Sequence, residues 1–196
     1  MSSTFLVGLL LQGRSVLIVG SGAEAARRAR TLADVGAQVT VLAPTPGAEL
    51  STLAASGSVH VERRPYHDGD TDGRWLVVLA ERDAELARRV GAACEQARIF
   101  YCAVDQPEHN TFAHVAVVHS GPISVGISSS GRAPALIRKL AEELSRMLAA
   151  SDFGAWAARV AALRDRTPRD ERRAVLSHAV RDLHFDGKLV VPPLDD

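Results

Sequence analysis

A glycine-rich turn near the start of the chain has the residue types of a phosphate-binding loop. Gly20, Ser21 and Gly22 open the run GSGAEA, which matches G-x-G-x-x-A and begins at the last residue of the apolar run at residues 14–20. In such loops the first glycine makes the turn and the second lets the backbone approach a pyrophosphate. Free amides at the start of the following helix then bind phosphate. The pattern predicts a dinucleotide site, and a tight structural turn is the alternative.

The end of the second predicted strand bears on the choice of dinucleotide. Many sites of this kind place an acid there to bind the adenosine ribose, but this chain has Ala43, Pro44 and Thr45. Ribose contacts are therefore expected from backbone or from Thr45. Arg63 and Arg64 follow the third predicted strand and not the second. No arginine adjacent to the end of the second strand is therefore expected to hold a 2′-phosphate, which favours NAD over NADP.

An acidic residue ends the fifth predicted strand. Asp105 follows the run at residues 99–104, and ligands of open α/β sheets bind beyond the carboxyl ends of the strands. At that edge a carboxylate could take a proton as a general base while a hydride leaves a neighbouring carbon. The alternative is a turn former, since Asp105 precedes Gln106 and Pro107.

A serine cluster precedes a predicted helix later in the chain. Ser128, Ser129 and Ser130 are followed by Arg132 and Pro134. The hydroxyls, free amides and guanidinium suit carboxylates, which predicts a site for a substrate with many carboxylates. A helix N-cap followed by proline is the structural interpretation of the same residues.

Histidines and cysteines give weaker signals. His109, His114 and His119 fall near the predicted cleft, but their five-residue steps do not put them on one strand face, so loop positions are favoured over a metal site. Cys94 and Cys102 form neither a CxxC pair nor a zinc spacing. Buried thiols acting as small apolar side chains are expected for both.

Strand and helix patterns alternate through the first part of the chain. Apolar, β-branched runs predict strands, and apolar residues at helical spacing predict helices. The predicted strands are 14–20, 38–42, 59–62, 75–79 and 99–104, and the predicted helices are 23–35, 48–55 and 83–97. This alternation predicts a Rossmann-like, doubly wound parallel sheet.

The pattern changes after residue 112. Residues 113–119 and 122–128 predict a β-hairpin, and helices are expected at 134–149, 153–164 and 168–185. Apolar side chains are expected on one face of the hairpin (Val115, Val117, Ile123, Val125 and Ile127) and on one stripe of the first helix (Leu136, Leu140, Leu144 and Leu148). Because a lone hairpin cannot cover these side chains, a homodimer centred on this region is expected.

Composition excludes several classes of partner. Of the 196 residues 46% are hydrophobic, and 23 Lys and Arg balance 23 Asp and Glu. No overall field favours nucleic acid or an anionic membrane. The apolar run at residues 5–11 is too short to cross a bilayer and lacks the features of a signal peptide. A cytoplasmic location is therefore expected.

Four segments together resemble the precorrin-2 dehydrogenase family, which includes stand-alone enzymes and the N-terminal half of trifunctional siroheme synthase. They are residues 16–22, 26–30, 98–105 and 128–134. The resemblance runs from about residue 11 to 148. It implies NAD-dependent oxidation of precorrin-2 to sirohydrochlorin, and in some members insertion of ferrous iron to give siroheme.

The resemblance also implies roles for individual residues. It makes Asp105 the key acid, places Ser129 against the tetrapyrrole, and implies backbone contacts to NAD around Ala23, Glu24, Pro44 and Thr45. It further implies an interwoven homodimer. The expected organisation is an NAD-binding domain at 1–112, a hairpin–helix dimerisation region at 113–150 and a helical region at 151–196.

Three positions depart from the residues usual in that family: Cys102 and Ala87 replace asparagine, and Val115 replaces proline. Two other interpretations stay open. One is a chelatase-only or specialised tetrapyrrole-binding relative. The other is a non-enzymatic NAD-sensing module similar to regulatory domains of potassium channels, although those usually carry an acid after the second strand.

Overall fold

The computed structural model of this protein describes residues 4–187. Within that part the chain forms two compact units. Residues 5–114 make one unit, and Thr4 with residues 115–187 makes the other. The glycine loop and Asp105 belong to the first unit, and the serine cluster belongs to the second.

Strands and helices alternate through residues 5–114, as predicted. The strands are β1 (Ser15–Val19), β2 (Gln38–Leu42), β3 (His60–Glu62), β4 (Leu76–Leu79) and β5 (Phe100–Ala103). The helices are α1 (Ala23–Asp34), α2 (Ala48–Ala55) and α3 (Ala84–Ala97), with a 3₁₀ turn at Pro107–His109.

The five strands form one parallel sheet in the order β3-β2-β1-β4-β5. The chain builds outwards from β1 in one direction and then crosses back to build in the other, so the order reverses between β1 and β4. Ligands of such sheets bind in the crevice that this reversal opens at the carboxyl ends. The predicted fold class is confirmed, and the glycine loop after β1 stands at the reversal.

Burial on both faces explains why β1 is a continuous apolar run. Val16, Leu17 and Ile18 have no exposed surface. Val16 and Ile18 pack in a core with α1 and α2, whereas Leu17 packs in a second core with α3. Small residues on the buried side of α1 (Ala25, Ala26 and Ala29) bring that helix close to the sheet.

The second unit contains a hairpin and three helices. Strands β6 (Ala116–Ser120) and β7 (Ile123–Ile127) are antiparallel. They are followed by α4 (Pro134–Ala150), α5 (Phe153–Arg166) and α6 (Arg172–Ala179). None of the helices described between residues 4 and 187 combines the length and the apolar character that crossing a bilayer requires.

The hairpin face differs from the prediction. Val118 pairs with Val125, and Ser120 pairs with Ile123. Directly paired residues share a face, so Val118 and not Val117 lies on the side of Ile123 and Val125. Val118 is buried, and Val117 is 46% exposed. The two-residue turn between Ser120 and Ile123 sets this parity.

Helix α6 is shorter than predicted. It begins at Arg172, because Pro168 starts a turn in which its carbonyl accepts from the amides of Glu171 and Arg172. It ends at Ala179, short of the predicted residue 185. Leu183 and Phe185 are 56% and 82% exposed, so extending the helix would bury little apolar surface, and short helices depend on such burial.

Candidate functional site

The first glycine of the loop is required by its surroundings. Gly20 has φ +149°, a conformation that other residues rarely adopt. A Cβ atom at this position would lie 3.1 Å from the carbonyl oxygen of Ala80. The Gly20 amide donates to the Leu42 carbonyl at 3.0 Å. The loop therefore leaves β1 in close contact with the ends of β2 and β4.

The second glycine has open space around it instead. Gly22 is the N-cap of α1 with φ −89° and offers no side-chain hydrogen bond to the helix. A Cβ atom there would meet no atom within 4 Å. Neither backbone conformation nor packing therefore requires glycine at this position. The first amides of a helix lack partners within it, and open space beside them fits a phosphate.

The loop after β2 lies beside the glycine loop. The Gly47 amide donates to the Ser21 carbonyl at 3.0 Å, and a Cβ atom at Gly47 would lie 3.2 Å from the same oxygen. Pro44 and Thr45, which lead into this contact, are exposed. Sequence reasoning missed Gly47, although Pro46 before it marks a turn directly ahead of α2.

Arg64, which follows β3, is held by two carboxylates. Its Nε donates to Glu62 Oε2 at 2.7 Å, and its Nη2 donates to Asp70 Oδ1 at 2.7 Å. The hydrogen bond to Arg64 holds the pKa of Asp70 below its usual value, against the opposing effect of burial. The guanidinium is thus engaged within its own loop, which leaves it poorly placed to bind a 2′-phosphate.

A cleft of about 400 Å³ lies at the carboxyl ends of β4 and β5. Its walls come from the start of α1 and from the segments that follow these two strands. The lining residues are Glu24, Arg27, Arg28, Ala80, Glu81, Arg82, Val104 and Asp105. The first turn of α1 and Asp105 therefore share one cleft with charged walls.

Asp105 combines a turn conformation with an accessible carboxylate. Its φ is +61°, a left-handed conformation that aspartate tolerates better than most residues. Its side chain is 61% exposed, and Oδ2 accepts from Arg82 Nη2 at 2.8 Å. The turn and the acid are thus compatible at one residue. Arg82 was not singled out from the sequence, because the two residues are far apart along the chain.

Side-chain hydrogen bonds fix the backbone on both sides of Asp105. Asn110 Oδ1 accepts from the Ala103 amide at 2.6 Å, and Asn110 Nδ2 donates to the Ala103 carbonyl at 3.1 Å. Gln106 Nε2 donates to the Glu81 carbonyl at 2.8 Å. Sequence reasoning missed Asn110, whose signal is an amide side chain placed to close a loop after a strand.

Two arginines neutralise the acid in the first turn of α1. Glu24 Oε1 accepts from Arg27 Nη2 and from Arg28 Nε, each at 2.7 Å. Partial burial raises the pKa of Glu24, but the hydrogen bonds and positive charges of Arg27 and Arg28 outweigh it, and the net pKa is lowered. The carboxylate is therefore charged and engaged by the helix's own arginines.

The three residues that differ from the usual family pattern, and the other cysteine, lie largely in the core. Cys94 and Cys102 are both buried, as predicted. Burial raises the pKa of Cys94 to about 12 and that of Cys102 to about 11, so both thiols stay protonated. Ala87 lies on the buried side of α3, and its carbonyl accepts from the Tyr101 hydroxyl at 3.0 Å. Val115 is half-buried just before β6.

The serine cluster lies in the second unit and makes its own hydrogen bonds. Ser129 Oγ accepts from the Ala133 amide at 3.0 Å, and Ser128 Oγ accepts from the Ser130 amide at 3.1 Å. The N-cap of α4 is Ala133, which makes no side-chain cap, so the serines order the turn before the helix rather than cap it directly. Arg132 is exposed.

The three histidines are not brought together as metal ligands. Within residues 4–187, no group of three or more histidine, cysteine, aspartate or glutamate side chains is placed to hold a metal ion. The ring of His114 packs edge to face against the ring of Phe112, with the ring centroids 5.1 Å apart. His119 Nδ1 lies 3.0 Å from Ser124 Oγ on the hairpin.

Comparison with known families gives a match over the first unit. A family model described as "Putative NAD(P)-binding" matches residues 7–116. That range contains the glycine loop, the loop after β2 and Asp105.

Several curated proteins match over most of the chain. Siroheme synthase 3 of Aeromonas hydrophila is 41% identical over 156 residues, which cover 80% of this chain and 33% of that protein. The siroheme synthase of Escherichia coli O1:K1 is 36% identical over 138 residues, or 70% of this chain and 30% of that protein. The chain thus spans about a third of the length of these relatives.

One solved structure matches along nearly the whole chain. It is titled "SirC, precorrin-2 dehydrogenase" and is 26% identical, with a TM-score of 0.74. The alignment covers 91% of this chain and 90% of that one.

Proposed function

Since the chain belongs to the NAD(P)-binding family whose model spans its first unit, we propose that it catalyses the NAD-dependent oxidation of precorrin-2 to sirohydrochlorin in siroheme biosynthesis. The observation that carries the proposal is the shared cleft. The first turn of α1, where a cofactor phosphate would bind, and the Asp105 carboxylate line the same cavity.

The residues present fit a dinucleotide. The open space at Gly22 leaves room for the pyrophosphate beside the amides of Ala23 and Glu24. Thr45 and the backbone at Pro44 are exposed beside the glycine loop and would contact the adenosine ribose. NAD supplies the hydride acceptor when it is bound.

NAD rather than NADP is the cofactor in this proposal. A 2′-phosphate needs a free guanidinium or ammonium group nearby. Arg64 is engaged by Glu62 and Asp70 instead. Oxidation measured with each dinucleotide tests this choice, and equal rates with NADP at equal concentrations would contradict it.

Asp105 is the proposed general base. The oxidation removes two hydrogens from the macrocycle, one as a hydride and one as a proton. The Asp105 carboxylate is exposed in the cleft, and its backbone is fixed on both sides. It can therefore accept the proton from a substrate held against it.

The serine cluster is the proposed site for substrate carboxylates in the second unit. Ser128, Ser129 and Ser130 are half-buried, and Arg132 is exposed beside them. Hydroxyls and a guanidinium bind carboxylates through charge-assisted hydrogen bonds. We place the enzyme in the cytoplasm as a homodimer formed through the hairpin and α4.

Insertion of ferrous iron into sirohydrochlorin is a second candidate activity. Metal insertion needs a bound macrocycle and a group that removes the pyrrole protons. The accessible carboxylate of Asp105 favours this activity as well as the first. Iron would be a substrate here, and insertion would not require NAD.

One experiment separates these activities. The purified protein is incubated with precorrin-2, with and without NAD and with and without ferrous iron, and absorbance spectra are followed. Oxidation only with NAD supports the dehydrogenase, and a metallated spectrum from sirohydrochlorin without NAD supports the chelatase. NAD binding without any oxidation would instead support a nucleotide-sensing module and overturn the proposal.

A further inference from the structure

Arg82 is the least restrained of the arginines that line the cleft. It lies between β4 and α3, and its side chain is 82% exposed. In the described part of the chain its guanidinium makes one side-chain hydrogen bond, to Asp105 Oδ2 at 2.8 Å. Arg27 and Arg28, by contrast, are both bound to Glu24 within their own helix.

The ion pair between Arg82 and Asp105 can be broken with little loss of stability. Both side chains are mostly exposed, and ion pairs exposed to water contribute little to stability. A guanidinium has five N–H donors in a planar fork, so most of the donors of Arg82 are free to bind a second carboxylate in bidentate fashion.

The two partners differ in how firmly they are held. The backbone beside Asp105 is fixed by Asn110 and by the hydrogen bond from Gln106 to the Glu81 carbonyl. Arg82, on its long flexible stem, is the partner that can move. An incoming carboxylate would therefore draw Arg82 away and leave Asp105 in place, with both oxygens uncovered.

We propose that Arg82 binds a carboxylate of the tetrapyrrole substrate and, in doing so, releases the Asp105 carboxylate to accept a proton. The inference rests on the proposed function, since it takes precorrin-2 as the ligand. It assigns to Arg82 a substrate contact that is coupled to exposure of the base.

Steady-state kinetics of Arg82→Gln and Arg82→Lys test this assignment. Arg82→Gln should raise KM for precorrin-2 about tenfold or more, because a charge-assisted contact is lost. Its kcat should stay within about twofold of wild type, because the Asp105 carboxylate is already free of the ion pair in this variant. Arg82→Lys should recover part of the loss, because lysine keeps the charge but not the fork.

The matched control is Arg88→Gln. Arg88 is also an exposed arginine in an ion pair, with Glu85 on α3, and it does not line the cleft. Its KM and kcat should match wild type. If kcat of Arg82→Gln falls while KM is unchanged, Arg82 only positions Asp105. If neither constant changes, Arg82 and Asp105 form only a surface ion pair. Both results overturn the proposal.

A binding measurement keeps this test separate from that of the proposed function. Quenching of porphyrin fluorescence reports binding of uroporphyrin, a carboxylate-rich macrocycle, without any oxidation. Arg82→Gln should weaken this binding about tenfold relative to Arg88→Gln, even if the wild-type protein fails to oxidise precorrin-2. Equal binding by the two variants would overturn the role of Arg82 whether or not oxidation is observed.

Discussion

At the scale of single residues, the two loop glycines have different reasons to be glycine. Gly20 is fixed by its positive φ and by the approach of Ala80, so its replacement would disturb the fold. Gly22 has an ordinary conformation and open space around it. A substitution at Gly22 therefore reports on ligand binding rather than on folding.

Gly22→Asp should abolish NAD binding while the protein stays folded. The new side chain would occupy the space proposed for the pyrophosphate, and its charge would repel phosphate. Titration calorimetry measures the affinity, and circular dichroism checks the fold. Gly8→Asp is the matched control, because a Cβ atom at Gly8 also meets nothing within 4 Å. Unchanged NAD affinity in Gly22→Asp would refute the glycine-loop site.

Asp105→Asn should reduce oxidation of precorrin-2 on the order of a hundredfold or more. Asparagine tolerates the left-handed backbone of Asp105 and keeps a hydrogen-bonding oxygen, but it cannot act as a base. NAD affinity should be unchanged, since the glycine loop is intact. If Asp105→Asn oxidises precorrin-2 at the wild-type rate, Asp105 is only a turn residue.

At the scale of elements, the hairpin and α5 meet through two glycines. A Cβ atom at Gly154 would lie 2.9 Å from the Gly121 amide nitrogen and 3.1 Å from Ser120 Oγ. The hairpin turn therefore packs its backbone directly against the first turn of α5. A close backbone approach of this kind explains glycine inside a helix, where it otherwise costs stability.

Gly154→Ala should destabilise the protein by about 1–3 kcal/mol, because the methyl group overpacks this contact. At a free helical position the same change would stabilise it by roughly 0.5–1 kcal/mol. A fall in the free energy of unfolding therefore indicates a close contact at Gly154, and a rise indicates a free helical position. Urea denaturation measures the free energy of unfolding. If Gly154→Ala is more stable than wild type, the hairpin turn does not pack closely against α5.

At the scale of the whole molecule, the family resemblance drawn from four segments is confirmed by matches that cover most of the chain. The second unit still presents apolar side chains to solvent. Leu136 on α4 is 56% exposed, and Val117 on the hairpin is 46% exposed. Burial of such side chains in a self-complementary interface is the proposed basis of the homodimer.

Sedimentation at micromolar concentration should show a dimer, and Leu136→Glu should shift it to monomer, because a charge would be buried in the interface. Val35→Glu is the control. Val35 is also an exposed apolar residue, at 51%, but it belongs to the other unit and should leave the dimer intact. A wild-type monomer would refute the proposed assembly.

The sequence by itself determined most of the elements and the position of the glycine loop. The bounds of β2 and α2 agree with their predicted ranges, because apolar periodicity and the chemistry of turns and caps are local properties. The position of Gly22 between a buried strand and a helix likewise needed no knowledge of distant residues.

Tertiary structure alone decided which distant groups meet. The pair of Arg82 with Asp105 joins the ends of two neighbouring strands, and the contact of Gly47 with Ser21 joins two loops at one sheet edge. The side of the hairpin that Val118 occupies depended on a pairing register set by the turn. The contacts between distant loops follow from the order of the strands, which no local pattern encodes.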